Sequence, residues 1–146
     1  MTRSTQMTPP LSYLVVRAAE FCTHVALHEA GHAIVGRSFG VRAETCLLME
    51  GRALSGCTDY YGDLTEHQSK IVALAGSIAT TVSQRPDVTA EQLIQEKWAP
   101  TPRDAKDAGN FGADQLAECL EIVRSHWCDV EAEAALLLQG LLGAHP

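Results

Sequence analysis

VALHEAGHAIVG, residues 25–36, places His28, Glu29 and His32 in a run that is otherwise small or apolar. At about 100° per residue the two histidines lie roughly 40° apart on an α-helix, so both rings can face one point. Glu29 lies about 60° further round than His32, where it reaches a metal-held water more readily than the metal. Metal-assisted hydrolysis needs that division of labour. Zinc lowers the pKa of its water and polarises a carbonyl, while a carboxylate takes the proton and hands it to the leaving amine. The alternative is a helix with two incidental histidines, which would bury three ionisable groups in apolar surroundings without return. Ala30 and Gly31 are small and leave room beside an ion. The stretch therefore reads as a core helix carrying a site, and the rest of the fold is organised around it.

A catalytic zinc takes three protein ligands and keeps one position open. Where a third histidine beyond the glycine would fall, the chain has Val35 and Ser38, which leaves carboxylates. Glu44, Glu50, Asp59, Asp63 and Glu66 follow at workable distances, as do Asp104 and Asp107, and spacing alone does not choose among them. His24, one turn before the motif, reads as a half-buried supporting histidine. His67, His126 and His145 have no supporting spacing and read as surface residues.

The wider chain suits one mainly α-helical domain with a small antiparallel β element, an α+β class. Its 146 residues are 46% hydrophobic, enough for one core. Residues 1–10, MTRSTQMTPP, are polar and end in two prolines, so a flexible tail is expected over about 1–12 and a single domain over 13–146. Helical spacing runs from Leu14 to Phe39, with Gly40 as the stop. TCLLME (45–50) and residues 53–60 read as strands joined at Gly51-Arg52. A helix over 63–82 has a Thr65-x-x-Gln68 capping box and a stripe of Ile71, Leu74, Ala75 and Ile78. A short helix over 89–98 has a second box, Thr89-x-x-Gln92. Thr101, Pro102 and Asp104 mark a third start, with Asp104 closing a T-x-x-D box. Gly109 and Gly112 should kink or break that helix, ahead of helical stretches over 113–127 and 129–142.

Composition excludes some roles. Net charge is −7 and the 11 Lys and Arg are scattered, so no nucleic-acid surface is expected. The apolar run 11–16 is too short to span a bilayer, and Arg17 and Glu20 spoil it as a secretion signal. A soluble, cytoplasmic protein is expected. The five cysteines show no C-x-x-C spacing and read as reduced, mostly buried side chains.

Five segments in order resemble the peptidase domain of the FtsH family, the M41 metallopeptidases. HEAGHAIVG (28–36) is similar to that family's zinc helix, and GRALSGCT (51–58) to its G-x-A-L-G-x-T strand. LAGSIAT (74–80) resembles its L-x-G-x-x-A-E helix. TPRDAKDA (101–108) falls on its N-D-L-x-x-A-T segment, and WCDVEAEAALLL (127–138) resembles its closing helix. The resemblance spans about residues 25–142 and implies an FtsH-type fold with a Zn²⁺ site. It makes His28 and His32 zinc ligands, Glu29 the general base and Asp104 the third ligand, with Asp107 as fallback. It also implies that Ala53, Leu54, Ser55, Gly56, Cys57 and Thr58 hold an extended substrate by strand addition. Two departures stand out: Thr80 and Thr81 replace the family's acidic position, and Gly109 to Gly112 interrupt a regular helix.

The expected activity is that of a zinc metalloendopeptidase acting on unfolded or extended protein. No P-loop and no transmembrane segment occurs, so ATP-driven unfolding is not expected of this chain itself. A homo-oligomer or a separate activating partner is compatible with that. The competing readings are a regulatory or non-catalytic zinc- and peptide-binding module on the same fold, and a deformylase. Against the deformylase, Gly56-Cys57 lies downstream of the zinc helix rather than upstream.

Overall fold

The computed structural model describes residues 10–51 and 53–143. Among the described residues, six helices and one hairpin run in order: α1 (Leu11–Ser38), β1 (Arg42–Glu50), β2 (Ala53–Tyr61), α2 (Glu66–Gln84), α3 (Ala90–Gln95), α4 (Pro102–Ala108), α5 (Ala113–Ser125) and α6 (Trp127–Gly143). The class is the expected one, helical with a two-stranded antiparallel sheet. α1 starts earlier than the expected Leu14, inside the stretch read as tail, while residues 1–9, Arg52 and His145 lie outside the described residues.

α2 is the central helix and packs on α1, α4 and α5. Its expected stripe of Ile71, Leu74, Ala75 and Ile78 is fully buried, joined by Val35, Leu116, Val123 and Val130 from the neighbouring helices. Where α1 crosses α2, a Cβ on Gly31 would stand 2.6 Å from the Ala75 carbonyl oxygen. Only a bare Cα permits that approach, which brings the histidine face of α1 against α2. α6 and the hairpin cover other parts of α1. No helix of the described residues is long and apolar enough to cross a membrane.

Both Thr-x-x-Gln capping boxes form, at the starts of α2 and α3. The third box does not. Thr101 is the N-cap of α4 and Pro102 opens the helix, but no side chain caps it. Asp104 is drawn elsewhere, and the Thr101 amide donates instead to Ser77 Oγ on α2, at 3.1 Å. The glycine interruption is a break: α4 ends at Ala108, and Gly109 turns the chain at φ 61°, a conformation that favours glycine. Lys70 on α2 then donates to the Asn110 carbonyl at 2.6 Å. α4 is thus tied to α2 at both ends, which fixes where its one buried carboxylate points.

Candidate metal centre and cleft

His28 and His32 sit one turn apart on α1, and α4 brings Asp104 to them from across α2. His28 Nε2 lies 2.8 Å and His32 Nε2 3.2 Å from Asp104 Oδ2, and the two imidazole nitrogens are 3.2 Å apart. His32 Nδ1 is 2.7 Å from the Val72 carbonyl oxygen. A carbonyl only accepts, so Nδ1 carries the hydrogen and a neutral His32 presents a bare lone pair at Nε2. Asp104 is 6% exposed, and its Oδ2 accepts no hydrogen bond although two ring nitrogens crowd it. Three candidate ligand atoms converging on one point suit a cation between them.

The spacing fits one. A tetrahedral ion holding such atoms at about 2.0–2.2 Å keeps them roughly 3.3 Å apart. Among the described residues, His28, His32 and Asp104 form a group able to hold a metal ion. Electrostatics point the same way. Burial alone would push the Asp104 carboxyl up, but His28 and His32 more than reverse that and hold it well below the usual carboxylate range. Burial alone would lower His32, and the adjacent Asp104 outweighs it, with help from the Val72 carbonyl, so the imidazole is raised.

Glu29 is buried at the edge of this group. Thr58 on β2 donates its hydroxyl to Glu29 Oε2 at 2.6 Å, which fixes the carboxylate on the strand side. Two strand positions earlier, a Cβ on Gly56 would stand 2.4 Å from Glu29 Cγ. Behind the histidines, a Cβ on Gly76 of α2 would lie 2.5 Å from His32 Nε2 and 2.6 Å from His28 Nε2. The site is therefore built from side chains on α1, β2 and α4 packed over two glycines.

A cleft of about 330 Å³ opens over it, lined by His28, Glu29, His32 and Asp104 together with Gly56, Cys57, Thr58, Tyr60, Leu64, Arg103 and Asp107 among others. Burial pushes the Tyr60 phenol up, and Glu29, Asp104 and Asp107 add to it, so this wall residue stays protonated. No protein-family model matches the chain, and no curated protein matches it.

Of the carboxylates that spacing left open, Asp104 alone joins the histidines. Asp107 lines the same cleft but is exposed, and Glu44, Glu50, Asp59, Asp63 and Glu66 are all exposed and outside the group. Of the expected substrate strand, Gly56, Cys57 and Thr58 reach the cleft. Ala53, Leu54 and Ser55 do not line it, because that end of the hairpin runs out past the site. His24 is exposed on the early part of α1 rather than half-buried. His67 pairs with Glu118 at the surface, and His126 is half-buried beside Asp129. Thr80 and Thr81 both donate to the Ser77 carbonyl, and Thr81 accepts from Trp98, so both are spent on packing α2. The cysteines are free thiols, but only Cys119 is buried. Ser77, Gly76 and the Val72 carbonyl went unassigned from sequence, and Thr58, read there only as part of the substrate strand, also holds Glu29. For Gly76, the signal available was a small residue within a resembling segment.

Proposed function

We propose that the chain is a zinc metalloendopeptidase of the FtsH-like type, hydrolysing peptide bonds of extended or unfolded protein. The observation that carries this reading is the convergence of His28 Nε2, His32 Nε2 and Asp104 Oδ2 beside a buried Glu29 on one open cleft. His28, His32 and Asp104 would hold a zinc ion, which when bound would supply Lewis acidity toward water and a carbonyl. Glu29 takes the proton of the attacking water and returns it to the leaving amine. Thr58 orients the carboxylate for both transfers. The Val72 carbonyl locks the His32 tautomer, and Gly76 leaves space for both rings. The edge of β2 near Gly56 to Thr58 receives the substrate backbone, a mode that tolerates many sequences.

Metal analysis and a protease assay test the reading together. Purified protein should carry about one zinc per chain. A chelator should abolish casein cleavage and added zinc should restore it, while His28→Ala and Asp104→Ala lose the metal. Retention of zinc by Asp104→Ala with loss in Asp107→Ala would overturn the ligand set. Zinc-loaded protein that leaves casein intact would overturn the activity.

A further inference from the structure

Cys46 on β1 and Cys57 on β2 stand directly opposite each other in the hairpin, with their sulfur atoms 2.9 Å apart. Both are half-buried free thiols, and Cys57 also lines the cleft, which gives small molecules a route to it. Opposed residues of an antiparallel pair have Cα atoms roughly 4.5–5.5 Å apart, inside the roughly 4.4–6.8 Å span that a disulfide bridges. Two sulfurs already in contact across such a pair need no backbone rearrangement to join. The other cysteines lack this arrangement: Cys119 is buried with its thiol toward the Ile71 carbonyl, and among the described residues Cys22 and Cys128 have no sulfur partner.

We propose that Cys46 and Cys57 are a site of reversible covalent modification, closing to a cross-strand disulfide by exchange with a low-molecular-weight disulfide. In the first step one cysteine sulfur, having lost its proton, attacks the reagent, forms a mixed disulfide and releases one small thiol. In the second, the facing cysteine attacks the protein sulfur of that mixed disulfide and expels the other small thiol. Two S–H bonds are lost from the protein, one S–S bond forms, and the reagent is reduced to two thiols. The hydrogen bond with Cys46 and then burial push the Cys57 thiol up to about 11, with Asp59 and Glu29 adding to this. Contact between the sulfurs, rather than thiolate content, therefore favours the bond, and it makes the second step fast. The link would pin the hairpin register. A slip of one residue turns every side chain to the other face, taking Thr58 off Glu29.

This inference does not depend on the proposed hydrolysis, and mass mapping tests it directly. The reduced full-length protein is incubated with oxidised glutathione and digested without reduction. A peptide joining Cys46 to Cys57, short of two hydrogens and released by dithiothreitol, is the expected product. Cys46→Ser should lose the link and hold glutathione on Cys57 instead. Separate glutathione adducts on both residues overturn the proposal, as does a Cys46/Cys57 pair still reduced after exposed Cys128 has reacted. Persistence of the two-hydrogen loss in Cys46→Ser overturns it too, because the bond would then lie elsewhere.

Discussion

A methyl group at Gly76 would stand within 2.6 Å of both imidazole nitrogens. Gly76→Ala gains about 1 kcal/mol of helix propensity and costs about 1–3 kcal/mol of overpacking, so the fold should survive. Zinc affinity should fall at least about tenfold, since the rings must move off their shared point. Competition with a chelator, run beside a thermal melt, separates the two effects, and unchanged affinity would contradict the role given to this glycine. Thr58→Val removes the hydroxyl from Glu29. A hydrogen bond to a charged group is worth about 1.5–3 kcal/mol, so hydrolysis should drop about ten- to a hundredfold. Zinc content should not change, and Thr58→Ser should recover most of the rate. A zinc ion bound as proposed would compete with a proton for His32, whose pKa is raised above its usual 6.5. Apparent affinity should therefore weaken as pH falls through that raised value, roughly tenfold per pH unit for each proton displaced. A flat profile from about pH 8 to 5 would mean that His32 is not a ligand.

The elements hold the site through a few long-range ties. Arg37 at the end of α1 bonds both carboxylate oxygens of Glu133 on α6 at 3.0 and 3.2 Å, and Thr45 on β1 donates to the same group at 3.1 Å. Arg37 is the main reason that the Glu133 carboxyl lies below its usual range, and it outweighs the opposing effect of burial. A carboxyl lowered on folding stabilises the protein above its unfolded pKa of 4.5, and that stability is lost as pH falls through the lowered value. Glu133→Gln should thus cost about 1–2 kcal/mol at about pH 7 and almost nothing at about pH 2, read from urea melts. An equal loss at both pH values would place its role in packing alone. Ties of this kind explain what the letters carried. The capping boxes at Thr65 and Thr89 are local, so they were legible, as were the α2 stripe and the break at Gly109. The box at Thr101 failed because Asp104 answers to histidines far away in sequence, and Ser77 took over the cap. The early part of α1 shows the opposite limit. Its apolar Leu11, Val15, Val16 and Phe21 are spread round the helix and exposed, because a helix-forming composition does not say what covers each face.

Over the whole molecule, α2 sits between the histidine helix and the aspartate helix, and the hairpin closes the third side. HEAGH was readable as two histidines and a glutamate brought to one site because its geometry is fixed within one helix. The carboxylate that joins the histidines was not, since seven candidates had workable spacing and only the clamp on α4 separates Asp104 from Asp107. The resemblance pointed to the same residue. The strand was placed correctly as an element, and three of its six expected residues, Gly56, Cys57 and Thr58, line the cleft. Glu29 acting as a base beside a bound zinc is the central claim, and one comparison tests it: casein cleavage by zinc-loaded wild type and by zinc-loaded Glu29→Gln. General base catalysis contributes about 10²–10⁴-fold, so the variant should keep its zinc and lose at least about a hundredfold in rate. Equal cleavage by the two proteins would contradict that claim.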